Sequence, residues 1–232
     1  DGQAQADLNR LMDGTFSNQE AGMPEGTVHS ELLRRPGKLY VLASHFHPDH
    51  FNKEVLQWRE QRPDIIYIFS KDILRHRRAQ KEDAVWLKKG EEYKDETLSV
   101  RAFGSTDVGV SFLLQASGKK IFHAGDLNNW HWMDESTEAE WKGAEKNFLH
   151  ELDDLYAYTP EVDVAMFPVD PRLGKEYMRG AGQFVTKIKT HIFVPMHFTP
   201  EYAKANAFRD FAEAHGVRFV SLTHRGQKIE IE

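Results

Sequence analysis

The sequence predicts a chain of mixed α and β class, and three observations carry that expectation. Short, almost continuously apolar runs recur, among them Leu39-Tyr40-Val41-Leu42-Ala43 and Ile65-Ile66-Tyr67-Ile68-Phe69; runs of that length bounded by turn residues read as buried strands. Between Glu138 and Tyr156 the spacing changes to a helical one, with Trp141, Phe148, Leu152 and Leu155 on one side and a Thr137/Glu140 capping-box pair in front. After residue 160 the two textures alternate.

Residues 1–37 are mostly polar with several glycines and show no period-two run, so they read as an irregular opening or one whose earlier part lies outside this sequence. The first strand is 39–43. A helix over 53–62 follows, with Asn52 as N-cap, Val55, Leu56 and Trp58 as its apolar side and Pro63 as its stop. After the strand 65–69, a short basic helix is expected through Arg75-His76-Arg77-Arg78, a cluster suited to phosphate or to a solvated helix end. Residues 83–123 read mainly as strands: 98–103 alternates, 110–114 is nearly all apolar, and Gly118 turns the chain into 120–122. Later expectations are a strand over 162–167, a helix over 183–189 and a strand over 192–196. A helix from a Thr199 N-cap to His215 comes next, with Tyr202, Phe208 and Phe211 inward and Gly216 as its end. Strands 218–222 and 227–231 would close the chain as a hairpin around Arg225-Gly226.

A chain of 232 residues supports one substantial core, and a single domain over 1–232 is the expectation. Its 40% hydrophobic and 28% charged residues are ordinary for a globular protein, and a formal charge of −6 argues against a nucleic-acid partner. No apolar run reaches membrane-spanning length and no signal-peptide pattern opens the chain, so no membrane partner and a cytoplasmic location are expected. Cysteine is absent, so any metal would be held by His, Asp or Glu. Composition leaves the oligomeric state unread.

The densest chemistry lies in Ser44-His45-Phe46-His47-Pro48-Asp49-His50, directly after the first strand. Loops at strand ends are where a rigid scaffold presents functional groups. Extended backbone would point His45 and His47 the same way, and Pro48 would turn the chain so that Asp49 and His50 form a second pair. Two pairs of imidazole and carboxylate donors suit two adjacent divalent ions. The bland alternative is a histidine-rich surface loop, and three His and one Asp within six positions weigh against it.

His45-Phe46-His47-Pro48-Asp49-His50 resembles the HxHxDH signature of the metallo-β-lactamase superfamily. Two further stretches match: Ile121-Phe122-His123-Ala124-Gly125-Asp126, similar to the strand that ends in Gly-Asp, and Val194-Pro195-Met196-His197, similar to the strand that ends in the last histidine ligand. The resemblance covers residues 38 to 232. It implies an α+β, four-layer αββα sandwich holding one or two divalent ions, zinc first with manganese or iron as alternatives. It further implies His45 and His47 as ligands of a first metal, Asp49, His50 and His197 of a second, and Asp126 as the bridging carboxylate. Asp49 would also orient the attacking water. The superfamily's usual histidine between the first motif and Gly-Asp is missing. Gly104-Ser105-Thr106-Asp107 stands there, with Asp107 the best substitute and His123 and His131 weaker ones.

The implied activity is hydrolysis of a small, anionic ester, lactone or phosphoester by a metal-bound hydroxide, closer to the lactonase branch than to the antibiotic-cleaving one. Arg172, Arg179, His224 and Arg225 are candidate substrate contacts, although surface ion pairing explains such residues equally well. Trp130-His131-Trp132 is a candidate pocket wall. Two rivals are an iron-dependent oxygenase or oxidoreductase on the same fold and a non-catalytic metal-binding or sensing protein.

Overall fold

A computed structural model describes residues 26–231. Two compact units divide the chain: Asp1–Leu87 with Thr223–Glu232, and Lys88–Leu222. Of the irregular opening expected over 1–37, residues 1–25 lie outside the described residues, and the remainder holds one short helix, α1 (Ser30–Leu33).

The first unit is built on a three-stranded parallel sheet in sequence order: β1 (Tyr40–Ala43), β2 (Ile66–Ser70) and β3 (Val85–Leu87). Tyr40 lies opposite Ile66, and Ile68 opposite Val85. Parallel neighbours need crossovers. The first runs through a 3-10 helix, Lys53–Glu60, and the second through α2 (Lys71–Arg75) and a 3-10 turn, Lys81–Asp83. The Asn52 cap is present, accepting a hydrogen bond from Glu54 N, and the helix expected over 53–62 is a 3-10 helix that ends at Glu60. Val55 and Trp58 stand three apart, which a 3-10 helix stacks on one side, and the Val55 carbonyl is taken by the Tyr67 hydroxyl at 2.6 Å. The basic cluster is not helical throughout either. α2 ends at Arg75, and Arg77 adopts a left-handed φ of 55° in the turn that follows. Phe51, Phe69 and Trp86 pack edge to face in the core of this unit.

The second unit holds a seven-stranded sheet in the order β10-β9-β8-β7-β6-β5-β4. Strands β4 (Glu92–Lys94), β5 (Ser99–Phe103), β6 (Ser111–Ala116) and β7 (Lys119–His123) form an antiparallel meander. Ser117 and Gly118, both at positive φ, supply the two-residue turn between β6 and β7. From β7 onward the sheet is parallel: β8 (Glu161–Pro168), β9 (Lys189–Met196) and β10 (Arg218–Phe219). Helix α3 (Glu138–Tyr158) crosses from β7 to β8 behind its Thr137/Glu140 capping box, and α4 (Arg179–Lys187) crosses from β8 to β9. Phe148, Leu152 and Leu155 of α3 and Phe184 of α4 meet Phe122, Phe167 and Phe193 of the sheet in one aromatic core.

Pro195 sits inside a paired strand without breaking it. The Val220 N–H reaches the Phe193 carbonyl and the Val169 N–H reaches the Met196 carbonyl, so the nitrogen of residue 195 faces the β10 side, beyond the last β10 partner at Phe193. The next rung would need a donor at residue 195, so the pairing with β10 ends at Phe193.

Three expectations are corrected. Helix α4 begins at Arg179, not 183, because Gly180 and Gly182 serve close packing here and do not break the helix. The helix over 199–215 is two short ones, α5 (Tyr202–Asn206) and α6 (Arg209–Ala214). Thr199 has φ 35° and Glu201 takes the N-cap, while the Asn206 side chain leaves the helix axis to bond both backbone groups of Leu222. Phe208 is buried as expected, but Phe211 is exposed. The closing hairpin is absent among the described residues. Arg218–Phe219 pairs parallel with β9, which buries Val217 and Phe219, and Gly226 lies in a turn closed by the Gln227 side chain on Thr223 N. No helix of the described residues is long and apolar enough to cross a membrane.

Strands β5, β7, β8 and β9 run the same way, so their C-terminal loops, 104–110, 124–137, 169–178 and 197–201, leave the second unit's sheet by one edge.

Candidate metal centre

In the first unit, β1 ends at Ala43 and delivers a buried His45. Ser44 Oγ lies 3.0 Å from His45 Nδ1 and 3.4 Å from His50 Nδ1. An outer partner on Nδ1 orients a histidine ring so that its Nε2 can serve as a metal ligand. The His45 ring lies 4.7 Å from His47, nearly perpendicular, and 4.0 Å from His50. The expected turn at Pro48 is present: the N–H groups of His50 and Phe51 both donate to the His47 carbonyl. Each expected pair is close, with ligand atoms of His45 and His47, and of Asp49 and His50, within 4.8 Å. Between the two histidines, Phe46 is anchored twice. Its N–H donates to Asp72 at 3.0 Å and its ring stacks on His76 at 3.7 Å.

In the second unit the loop after β7 carries a buried Asp126, the loop after β5 carries Asp107, and their carboxylate oxygens lie within 4.8 Å. Ser105, at the position of the absent histidine, accepts the Asp107 N–H at 3.3 Å and so shapes the turn that presents Asp107. Leaving β9, His197 adopts a left-handed φ of 57°, a conformation that costs a non-glycine residue roughly 1–2 kcal/mol. Its ring accounts for that cost: Nε2 is 3.3 Å from Asp126 Oδ1 and Nδ1 is 2.9 Å from Asp170 Oδ2. The Trp130 indole donates to the Asp126 carbonyl at 2.7 Å and sets its ring edge to face on His197.

Asp170, just past the end of β8, is a further member of this group. It is fully buried and accepts from Arg172 Nε and Nη2 as well as from His197. Burial by itself would raise its carboxyl, but the hydrogen bonds from His197 and Arg172 outweigh that and hold it at about 2. For His197 burial pulls down, yet hydrogen bonds to Asp126 and Asp170 win and lift it to about 10. Without metal, the imidazolium thus supplies the positive charge between two carboxylates. This gives a pH dependence for the metal-free protein. His197, raised, stabilises fully below its unfolded value near 6.5, and that contribution is lost as pH rises toward 10. Asp170, depressed, stabilises fully above about 3.8 and loses its contribution as pH falls toward 2. Thermal unfolding of the metal-free protein should therefore shift to lower temperature between pH 6.5 and 10, and His197→Gln should flatten that limb; a limb unchanged in the variant would assign it to other groups.

The remaining candidates are spread more widely. The Arg172 guanidinium is more than half exposed and lies 3.5 Å from His197 Nδ1. Arg179 is spent on Glu145 of α3. His224 and Arg225 are on the 223–227 turn of the first unit, where His224 Nδ1 meets the Thr223 hydroxyl at 2.9 Å. The two weaker substitutes have structural duties: His123 Nδ1 accepts Gly125 N–H, and buried His131 bonds the Glu176 carbonyl and Met133 N–H. Trp130 and Trp132 are stacked and partly buried. Ser44, read in the sequence as part of the motif stretch, proves to bond two of its histidines; Asp72 is a residue that no signal in the sequence pointed to.

Imidazole and carboxylate donors without thiolate form a set that fits a divalent ion such as zinc, manganese or iron. The model of the beta-lactamase superfamily domain matches residues 27–198, a stretch that contains every donor named above. Among solved structures, the metallo-beta-lactamase fold protein YhfI from Bacillus subtilis is similar over 82% of this chain and 76% of its own, with a TM-score of 0.55 and 11% identity. A possible metal-dependent hydrolase from Veillonella parvula DSM 2008 is similar over 86% of this chain and 80% of its own, with a TM-score of 0.54 and 11% identity. At that identity the likeness speaks for the fold alone. No curated protein matches the chain. With the family model running through three quarters of its length and two structures sharing its architecture, the chain belongs to the metallo-β-lactamase superfamily and carries its α+β fold.

Proposed function

We propose that the chain is a metal-dependent hydrolase, and that residues 1–232 make up the single domain expected from the sequence. The observation that carries the reading is the pair Asp107 and Asp126, two carboxylates within 4.8 Å at one sheet edge. Two carboxylates converging beside an imidazole make a donor set that a divalent ion can use. The residues that would hold a first divalent ion are His45, His47 and Asp126, with Asp107 beside them, and those that would hold a second are Asp49, His50 and His197 with Asp126, as the resemblance implies for all but Asp107. Asp107 then replaces the histidine that the superfamily usually supplies. Zinc heads the candidates, with manganese or iron next.

When bound, such ions acidify water and stabilise negative charge developing on oxygen. The residues of the chain do the rest. Asp49, half exposed and 3.4 Å from His50, orients the attacking water and takes its proton. Ser44 and Asp170 hold the histidine rings through Nδ1. Arg172 receives the anionic end of a small ester, lactone or phosphoester, as in the lactonase-like branch, while the stacked Trp130 and Trp132 offer an apolar wall. His224 and Arg225 are proposed as outer contacts, and Arg179 acts through Glu145.

One observation favours a second reading, an iron-dependent oxygenase or oxidoreductase: with Asp107 for histidine, the first ion has two imidazoles and carboxylates, a composition common at non-haem iron. Chelated protein given a panel of esters, lactones and phosphodiesters should regain hydrolysis on adding zinc or manganese and lose it again with chelator. Bound iron with oxygen consumption and no hydrolysis would select the second reading. Metal-loaded protein inert in both assays would make the chain a sensor.

A further inference from the structure

The metal centre leaves unexplained a buried polar network behind it. Asp107 and Asp126 sit on separate loops, and their charges repel whenever a cation is not between them. Something must hold the loops together. The Thr106 hydroxyl, next to Asp107, donates to the Asn128 carbonyl and accepts the Asn128 N–H at 3.0 Å. One threonine thus grips both sides of a residue two positions from Asp126. The following residue reaches the other way: Asn129 Nδ2 donates to Glu145 Oε2 at 2.8 Å and to Gln183 Oε1 at 2.9 Å.

Glu145 is the hub. On α3, it also accepts from Gln183 Nε2 at 2.9 Å and from Nε and Nη2 of Arg179 on α4. Helix α4 comes so close that a Cβ on Gly180 would meet Asn128 Oδ1 at 2.0 Å and Asn129 N at 3.0 Å. Asn128 and Asn129 are fully buried, and among the described residues Asn128 Nδ2 and Asn129 Oδ1 have no hydrogen-bond partner. Packing alone does not account for this. Apolar side chains of similar volume would fill the space at no greater cost, whereas directional bonds fix a loop in one place.

We propose that Thr106, Asn129 and Glu145 form a positioning clamp that sets the separation of the Asp107 and Asp126 carboxylates and so the affinity for the ion between them. None of the three touches that ion; they act through the loops. The inference rests on the metal-centre reading above. Loss of an outer partner of a metal ligand costs about 10- to 100-fold in affinity, and the effect should fall chiefly on the ion that Asp107 and Asp126 share.

The test is calorimetric zinc titration of metal-free full-length protein, wild type against Thr106→Val, Thr106→Ser, Asn129→Ala and Glu145→Gln. Cobalt(II) absorption of each loaded protein reports ligand geometry, and thermal unfolding of each metal-free protein reports the fold. Expected results are a loss of about 10- to 100-fold at one site for Thr106→Val and Asn129→Ala, an altered cobalt spectrum, and near-wild-type behaviour for Thr106→Ser, which keeps the hydroxyl. Should Asn129→Ala fail to fold, Thr106→Val on its half-buried loop decides. Wild-type affinity and spectrum in Thr106→Val would overturn the clamp while leaving the metal centre standing. Equal losses in the Val and Ser variants would assign the effect to packing and also overturn it. A wild type that binds no metal would sink both readings together.

Discussion

Asp126→Asn should reduce turnover at least about 100-fold, the upper edge of what even an outer-shell partner of a metal contributes, while leaving the fold cooperative. The amide keeps the shape of the carboxylate and removes the charge that two cations would share. Shape matters because Asp126 is buried and its carbonyl is held by the Trp130 indole. In the metal-free state the substitution acts in two opposing ways: it relieves repulsion with Asp107, and it deprives the His197 imidazolium of one anion. Apo stability should therefore move little, with the His197 titration shifted down toward its ordinary value. Steady-state rates on the best substrate, set beside thermal unfolding of the metal-free protein, separate these effects. Full turnover in the variant would remove Asp126 from the chemistry.

Phe167→Ala is expected to cost about 3–5 kcal/mol of stability, the usual range for emptying an aromatic site in a core. Phe167 lies on β8, between β7 and β9 in the sheet, and is fully buried. Its ring centroid is 4.7 Å from Phe184, 6.1 Å from Phe148 and 6.2 Å from Phe193. Those neighbours come from both crossover helices and the adjacent strand, so none can collapse into the cavity without moving a whole element. Phe211→Ala is the control. That ring is 44% exposed, and its loss should stay within roughly 1 kcal/mol. Urea denaturation of the two variants measures the contrast; equal losses would mean that the core is centred elsewhere.

Much of this architecture was legible in the sequence because its signals are local. A strand such as 65–69 announces itself by apolar text, and α3 by a capping box whose two hydrogen bonds need only residues 137 and 140. The candidate ligand stretches stood out for the same reason: each is a few residues at the end of one strand. Longer-range chemistry was not. Nothing near Asp170 shows that β8 and β9 lie side by side and bring it to His197, twenty-seven positions away. The Asn129, Glu145 and Gln183 cluster has the same origin, since three unremarkable polar residues meet only after two crossovers have packed. Local reading also failed where tertiary partners outbid propensity. The helix expected over 199–215 divides at Ala207 and Phe208, next to the Asn206 side chain that bonds Leu222, and the chain after Gly216 takes a parallel place beside β9, where its apolar residues are buried, over the antiparallel hairpin its turn residues suggested.

The central claim is that this chain holds divalent metal through its histidines and carboxylates, and the most direct measurement is elemental analysis of wild-type and Asp126→Asn protein purified side by side without added metal. One to two equivalents of zinc, manganese or iron are expected in the wild type and substantially less in the variant. Substoichiometric metal in the wild type that does not rise on reconstitution, or equal metal in both proteins, would contradict the claim.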